Sequence, residues 1–430
     1  MKKLEVRYST LRLAFLMFGL LFYLKAFGFV IVLVSGRQGR SLDTELEGNL
    51  INQVCGLITL LVPACFFFRQ RIFQRNSVYR DNWVMILFLG CLLLSVFWSY
   101  EPALSFKRFV ALLGVVFFAG FAVYNFSLER LALIIGCTVG FLSFIGLIFA
   151  VISPELVFYL DGARAGAFRG VFGEKNAAAR INVVAFLLLL PAMERRNRWA
   201  LLAGGFALLA IVLARSASGL VLVCAGIASY WYFRTLVHLR LHHSRSVLVT
   251  STLIYLGICL ALYANYHLAL DLLGRDSSLT DRTHIWALLT PSIQEELVRG
   301  YGFGAFWASP AADYFLRRWG YIGNAHSGYL ETLLNGGLIQ LVALILLFAA
   351  TLYKHFNTLL QRTDVAHHIS ALVIIGVFIL SNYIAYVVPN HRSGEFLVFC
   401  VLALTLRPLR KSVATQSAVQ TSGIHWRPSP

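Results

Sequence analysis

The stretch NAHSGYLETLLNGG (residues 324–337) places a histidine directly before a long apolar run. Ser327 can cap the helix that this run forms, which puts His326 just outside the helix N-terminus. The partial positive charge of a helix N-terminus disfavours imidazolium, so we expect His326 to be neutral and able to accept a proton. A lone histidine at a helix end is more often a capping group than a catalyst. The residue types alone leave both roles open.

Two further features of this stretch bear on the histidine. Glu331 lies four residues after Ser327 and therefore faces about the same way. We expect Glu331 or a backbone carbonyl to fix the tautomer of His326. Gly336 and Gly337 lack side chains, so we expect them to allow close helix packing.

Several basic residues lie between apolar runs, in segments that we place outside the cell membrane. A first long segment holds Arg164, Arg169, Lys175 and Arg180, Arg215 stands alone in ARSAS, and Arg282 follows in TDRTHIW. A guanidinium matches a phosphate at two points, so arginines that converge at a bilayer surface indicate a lipid phosphate or diphosphate site. For any single arginine the alternative is an ion pair with an acid such as Glu174, or contact with lipid headgroups.

The elements that must position these residues are membrane helices. Of the 430 residues, 58% are hydrophobic and 13% are charged. Twelve apolar runs recur, and a helix of ~20 residues crosses the hydrocarbon layer. The runs cover residues 13–35, 50–68, 83–98, 109–124, 131–152, 179–193, 199–214, 217–233, 247–268, 328–353, 369–388 and 395–407. We therefore predict one all-α polytopic membrane domain over residues 1–430 with about 12 transmembrane helices.

Basic residues set the expected orientation. With the N-terminus inside, the inner segments hold 21 of the 37 Lys and Arg but 5 of the 20 Asp and Glu, whereas the outer segments hold 15 of each. This asymmetry predicts that both termini are cytoplasmic. The net charge of +17 then reflects topology, and we expect no nucleic-acid partner. The pairs His242–His243 and His367–His368 fall in inner segments, where we expect solvated histidines.

The longest outer segment, residues 269–327, carries signals for short amphipathic helices. Thr280 and Asp281 can cap a first helix that ends at Gly300. Pro310 and Gly320 are suited to the start and the end of a second helix. We expect these helices to lie on the outer membrane surface or to cover a cavity. The tail over residues 408–430 is expected to be cytoplasmic and disordered.

Five motifs in order resemble the O-antigen ligase/polymerase superfamily, and most closely its ExoQ-type exopolysaccharide polymerases. They are GVFGEKNAAAR (170–180), ARSASG (214–219), DRTHIW (281–286), GYGFGAFW (300–307) and HSGYLETLLNGG (326–337). Three positions depart from the usual pattern: Ser327 replaces Asn, Asp281 stands where Gly is common, and Glu174 replaces a frequent His.

The resemblance implies a GT-C-like glycosyltransferase of the bacterial inner membrane, which acts at the periplasmic face on sugars carried by undecaprenyl diphosphate. It implies that His326 accepts the proton of the attacking hydroxyl, while Arg215 and Arg282 hold the diphosphate. The substrate-binding residues would be Arg164, Arg169, Lys175, Asn176, Arg180, Tyr301, Trp307, Tyr329 and Glu331. For the aromatic residues among these, the alternative is a place in the interfacial aromatic belt.

Neither a metal nor a cofactor is expected. No DxD motif lies in an outer segment, and the arginines can take the place of the divalent cation that often neutralises a diphosphate leaving group. The expected partners are lipid-linked glycans and membrane lipids, with a chain-length regulator and a flippase as protein partners.

Three functions remain in competition. The first is a polymerase that moves a growing glycan from its lipid carrier to the next lipid-linked repeat unit, and we favour it because of the ExoQ-like motifs. The second is a ligase that moves finished polysaccharide onto lipid A–core. The third is a flippase or transporter, which would place ionisable groups near the bilayer midplane. Lys25 is the one charged residue that clearly lies within an apolar run, and the other polar residues gather on the outer side of the membrane. This pattern favours chemistry at the membrane surface over transport.

Overall fold

The computed structural model describes residues 2–35, 50–241, 244–264, 280–361 and 365–405, and its regular elements there are helices. In chain order they are α1 Lys2–Tyr23, α2 Ala26–Ser35, α3 Leu50–Arg69, α4 Asn76–Leu94, α5 Pro102–Asn125, α6 Leu128–Ile152, α7 Lys175–Glu194, α8 Arg198–Leu213, α9 Ala217–His238, α10 Arg245–Ala264, α11 Thr280–Glu295, α12 Asp313–Trp319, α13 Gly328–Gln361, α14 Ala366–Ile384 and α15 Gly394–Leu404. Short helical turns lie between several of them. The predicted all-α fold is confirmed for these residues.

Fewer helices are long and apolar enough to cross a membrane than the twelve spans that hydropathy predicts. Within the described residues, eight helices are long and apolar enough to cross a membrane, or nine if α1 and α2, which are bent by 65° at their break, form one span. The other three apolar stretches are shorter, at Arg198–Leu213, Arg245–Ile254 and Gly394–Leu404. Each hydropathic run therefore forms a helix, but a run does not have to be a full crossing.

Helix α7 lies at the centre of the bundle. Of its most apolar 18-residue window, 72% is buried inside the protein, the highest share among the candidate spans. It packs against α6, α8, α9 and α14. This central position matters for the site, because α7 begins at Lys175. The segment that precedes it, between α6 and α7, is called the first long connection below.

The connections between helices gather at two opposite ends of the bundle. At one end, Phe168 N donates to Leu213 O at 3.0 Å, and Gly328 N donates to Ala385 O at 3.0 Å. Trp98 Nε1 donates to Arg299 O at 2.8 Å and ties a further connection to the same end. We call this the site end, and among the described residues it contains segments that the sequence places on the outer side.

Where the structure describes them, segments that the sequence places inside lie at the opposite end. There Arg195 pairs with Glu129 at 2.6 Å, and His367 Nε2 lies 3.7 Å from the same carboxylate. His368 Nδ1 lies 3.0 Å from His355 Nδ1. The expectation that His367 and His368 are solvated loop residues was wrong, because both belong to the first turn of α14 and contact neighbouring helices. The pair His242–His243 lies outside the described residues.

Helix α13 is broken near its start. Gly336 (φ −145°, ψ 18°) and Gly337 (φ 61°, ψ −157°) leave helical geometry, so two helical pieces meet at an angle. The turn over residues 297–302 inserts its backbone into the break and satisfies the freed groups. Tyr301 N and Gly302 N donate to the carbonyls of Leu334 and Asn335, at 2.8 and 2.9 Å, respectively. Beyond the break, the N–H groups of the next two residues donate back to the carbonyls of the turn. These two glycines therefore allow close packing, as predicted, but against a turn and not along a regular helix.

Helices α11 and α12 form a small core of their own at the site end. Their apolar residues pack with the turn over residues 300–307 and with the start of α13, through side chains that include Ile285, Leu289, Ile293, Trp307, Phe315 and Leu334. The predicted second helix is confirmed, since α12 follows the turn that Pro310 begins and ends at Gly320. The first helix already includes Thr280 and ends at Glu295, five residues before Gly300.

Candidate functional site

The backbone at His326 adopts a conformation that is uncommon for a residue with a side chain. Its φ is 48°, in the left-handed region. His326 N donates to Asn324 Oδ1 at 2.9 Å, which closes a tight turn just before α13. The predicted cap is confirmed, because Ser327 Oγ accepts from Leu330 N at 3.5 Å. The imidazole is half-buried, and within the described residues it makes no side-chain hydrogen bond.

The residue before the histidine is held on both sides. Ala325 N donates to Glu331 Oε2 at 2.8 Å, and Ala325 O accepts from Trp286 Nε1 at 3.0 Å. Glu331 also accepts from Trp307 Nε1 at 3.1 Å and is 3% exposed. This corrects two expectations for Glu331: its carboxylate holds the backbone beside His326 instead of bonding the imidazole, and it is too buried to contact a substrate.

Four charged residues surround His326. Burial has the largest effect and lowers its pKa below the ordinary value. Arg282 lowers the pKa further, and Glu174 raises it. Arg164 and Arg180 also lower it. The lowered pKa favours the neutral imidazole, as expected, and burial is its largest cause, followed by the charge of Arg282.

Arg164 and Arg169 share one aromatic partner in the first long connection. The guanidinium carbon of Arg169 lies 5.2 Å from the centre of the Tyr159 ring, and that of Arg164 lies 5.9 Å from it. Arg169 Nη2 also donates to Glu155 O at 2.9 Å, while Arg164 is exposed. Both guanidinium groups therefore lie against the ring of Tyr159, and Arg164 also acts electrostatically on His326.

Arg215 follows the C-terminus of α8 and joins the same region through small residues. Its side chain is exposed and packs on Gly166, where an added Cβ would lie 2.8 Å from Nη1. The next residue, Ser216, donates to Asn176 Oδ1 at 3.1 Å. Asn176 in turn lies 3.4 Å from Glu174 Oε1, and Glu174 acts on the pKa of His326. Contacts thus connect the segment of Arg215 to Glu174, which acts electrostatically on His326, whereas Arg215 is not among the influences named on that pKa.

The left-handed backbone of Arg215 is not by itself a functional signal. Its φ is 48°, and Lys25, Arg71, Arg196 and Arg240 show similar values. These basic residues follow the ends of helices, where a positive charge interacts well with the helix dipole. His326 differs, because it precedes a helix.

Arg180 and Lys175 lie on the first part of α7. Arg180 Nε pairs with Glu395 Oε1 at 3.3 Å, and the two side chains are 14% and 5% exposed. Arg180 therefore has a carboxylate partner, the alternative that the sequence left open, and also acts on His326. Lys175 is half-buried at the start of the helix.

Comparison with known proteins shows which families this chain resembles. Residues 177–348 match the family described as O-antigen ligase, a region that runs from α7 into α13. The chain is also 26% identical over 345 residues to the "Exopolysaccharide production protein ExoQ" of Rhizobium meliloti (strain 1021), which covers 75% of this chain and 76% of the relative. Over these ranges the chain is similar to the O-antigen ligase family and to an exopolysaccharide production protein.

The part that matches the O-antigen ligase family includes four of the residues gathered at the site end. These are Arg180, Arg215, Arg282 and His326. The motif residues Lys175 and Asn176 lie immediately before the matched range. The region shared with the family is thus the region in which the structure brings the basic residues and the histidine together.

The three aromatic residues expected to contact sugars make contacts inside the protein. Tyr301 and Trp307 are 0% and 5% exposed, and both pack inside the small core of α11 and α12. Tyr301 donates to Ser292 O at 2.7 Å, and Tyr329 donates to Ile379 O at 2.9 Å. We therefore correct the expectation for Tyr301 and Trp307. Their ring faces are covered, so these residues stabilise the small core of α11 and α12, and they neither contact sugars nor belong to an interfacial aromatic belt.

Sequence reasoning gave no role to several residues that build this site. Trp286 holds Ala325 O and packs on Tyr383, with ring centres 5.3 Å apart. Tyr159 collects two guanidinium groups. Arg108 donates to Gly304 O and interacts electrostatically with the buried Glu331. Trp286 belongs to the DRTHIW motif, which indicates a role for it, whereas Tyr159 and Arg108 lie outside every motif.

The arrangement offers a proton acceptor beside several cations. A neutral imidazole can take a proton from a hydroxyl group, and nearby guanidinium groups can hold an anion or a developing negative charge. The site lies at one end of a membrane bundle, so its substrates can carry lipid chains.

Proposed function

We propose that this protein is a polysaccharide polymerase, which transfers a growing glycan from undecaprenyl diphosphate to the next lipid-linked repeat unit at the periplasmic face of the inner membrane. The observation that carries the proposal is the half-buried, neutral His326 among Arg282, Arg164 and Arg180 at one end of the bundle. Similarity to the O-antigen ligase family and to an exopolysaccharide production protein supports glycan transfer in the membrane.

The proposed reaction needs one base and one anion site. A sugar hydroxyl of the acceptor attacks the anomeric carbon of the donor glycan and gives its proton to His326. The bond between that carbon and the diphosphate oxygen breaks, and undecaprenyl diphosphate leaves with the electron pair. Arg282 and Arg215 stabilise the departing diphosphate, with Arg164 beside them. Because the guanidinium groups supply the positive charge, the reaction needs no divalent cation and continues in EDTA.

A ligase is the second candidate, and the family description favours it. O-antigen ligase is the description of the family that matches residues 177–348. In that case the donor and the base are the same, and the acceptor is lipid A–core. We favour the polymerase because the relative that matches three quarters of the chain is described by exopolysaccharide production.

Deletion of the gene distinguishes these functions by what accumulates. A polymerase mutant retains single lipid-linked repeat units on the periplasmic side and makes no polymer. A ligase mutant retains long lipid-linked polymer that never reaches the core. A flippase mutant holds its unit on the cytoplasmic leaflet, so that externally accessible repeat units reject a flippase.

Two variants test the assigned residues in the deletion strain. His326→Ala removes the base and Arg215→Ala removes a cation, so each abolishes the product while the protein remains in the membrane. Immunoblots of the membrane fraction control for expression. Normal polymer from either variant removes that residue from the mechanism.

A further inference from the structure

Glu331 places a carboxylate inside the protein, one turn into α13. Its side chain is 3% exposed. Burying a carboxylate is costly unless hydrogen bonds compensate it. Here Ala325 N donates at 2.8 Å and Trp307 Nε1 donates at 3.1 Å, while Arg108 interacts with the group electrostatically. The carboxylate therefore has partners from three different parts of the chain.

The partner that matters for chemistry is Ala325. Its N–H is held by Glu331 of α13, and its carbonyl is held by Trp286 of α11. Both peptide groups that flank Ala325 are thus fixed by side chains. The next residue is His326, whose left-handed φ of 48° is a conformation that persists only when the surroundings enforce it.

We propose that Glu331 is a positioning residue for glycan transfer, which fixes the imidazole of His326 by holding the Ala325 peptide from inside the protein. This inference rests on the proposed function, because it assigns a proton-accepting role to His326. Trp286 is the matching element on the other side of the peptide. Glu331 does not touch the substrate, and it acts through the backbone of the loop.

Two roles of Glu331, stabilising the fold or positioning His326, predict different results when the residue is substituted. Glu331→Gln keeps the volume of the side chain, but it removes the negative charge that interacts with Arg108. In either orientation of the amide, its NH2 group also replaces an oxygen that accepts from Ala325 N or Trp307 Nε1, so that two donors face each other. The matched control is Thr332→Val on the same helix turn. It removes the buried hydrogen bond from Thr332 Oγ1 to Gly328 O, at 2.6 Å, and leaves the contacts of Ala325 intact.

The first measurement is steady-state transfer by purified full-length protein, for whichever acceptor the wild type uses. We expect kcat of Glu331→Gln to fall about 10- to 100-fold with KM within about twofold, since a displaced base loses rate but not substrate. Trp286→Phe, which releases the carbonyl of Ala325, lowers kcat in the same way. Thr332→Val stays within about threefold of the wild type. Unchanged kcat in Glu331→Gln, or an equal loss in Thr332→Val, overturns the proposal.

The second measurement does not need activity. Diethyl pyrocarbonate modifies neutral imidazole, and mass spectrometry reports the extent at His326 as a function of pH. The charged groups that face this ring are Arg282 on α11, Arg180 on α7, and Glu174 and Arg164 in the first long connection.

Release of the loop exposes the ring and weakens the burial that lowers its pKa. We therefore expect His326 in Glu331→Gln to be labelled at least about threefold faster than in the wild type, at a pH well above the pKa of His326. The midpoint of the pH dependence of labelling should lie at a higher pH than in the wild type. A rate and a midpoint equal to those of the wild type overturn the proposal, whatever the activity shows.

The two hypotheses fail in different ways. If the wild type transfers no glycan, the proposed function fails, and the labelling experiment still decides whether Glu331 positions the ring. If the wild type is active and Glu331→Gln is equally active, the positioning role fails and the proposed function stands.

Discussion

The break in α13 should be one of the most sensitive points of the fold, and Gly337→Ala tests it. A Cβ at this position would lie 2.2 Å from both the carbonyl carbon and the oxygen of Val298, and 2.5 Å from Arg299 N. These are backbone atoms, so they cannot rotate out of the way. The residue also has φ 61°, which disfavours any side chain.

The expected cost follows from what must be lost. Relieving the clash separates α13 from the turn and breaks the hydrogen bonds from Leu338 N to Leu297 O, at 2.8 Å, and from Ile339 N to Val298 O, at 3.3 Å. Two such bonds contribute about 1–3 kcal/mol, and strain in a backbone conformation that is essentially restricted to glycine adds about 1–3 kcal/mol. We therefore expect a loss of about 2–6 kcal/mol, or roughly 4–12 °C in Tm at about 2 °C per kcal/mol for a long chain.

The assay is thermal unfolding of purified protein in detergent, followed by tryptophan fluorescence. Gly205→Ala is the matched control, because Gly205 lies within α8 and an added Cβ meets nothing within 4 Å. Alanine in a helix is more favourable than glycine, so this control keeps or slightly raises Tm. A Tm of Gly337→Ala equal to that of Gly205→Ala would refute the reasoning about the break.

Three further predictions concern the charges around His326. The neutral imidazole is the active form and is present above its pKa, so a higher pKa moves the acid limb of the kcat/KM profile to higher pH. Arg164→Gln removes a charge that lowers the pKa of His326 and should therefore move the limb in this direction. Glu174→Gln removes a charge that raises the pKa and should move the limb to lower pH; shifts of both variants in one direction would contradict the electrostatic account. Arg180→Met leaves the buried Glu395 carboxylate without its partner and should cost about 3–5 kcal/mol of stability, whereas Arg180→Met/Glu395→Leu should recover most of it; a double variant as unstable as the single one would contradict the pairing.

Hydropathy was sufficient to find the helices, because each apolar run forms one in the structure. It could not say which runs are full crossings: α15 has 11 residues, and α1 and α2 are bent by 65°. The break at Gly336 lies inside an apolar run, at an Asn-Gly-Gly sequence that is typical of turns, but hydropathy does not show what fills the break. Only the turn over residues 297–302, whose backbone fills the break, explains it.

The site was predictable in part for a similar reason. Residue chemistry and motif order found His326 and the arginines. They could not show that Glu331 bonds Ala325, or that Trp286 reaches the same residue 39 positions later in the chain, because such contacts depend on how α11 packs on α13. Tyr301 and Trp307 were misjudged because an aromatic residue near a membrane surface has the same sequence signature whether it is exposed or in a small core.

The central claim is that a neutral His326 and the surrounding guanidinium groups act together on a polyprenyl-diphosphate glycan. Purified protein in liposomes, supplied in EDTA with a synthetic undecaprenyl-diphosphate repeat unit, tests this directly when the lipid-linked products are analysed by mass spectrometry. Longer lipid-linked glycans and free undecaprenyl diphosphate should appear with the wild type, and neither with His326→Ala. Equal products from the wild type and His326→Ala would contradict it.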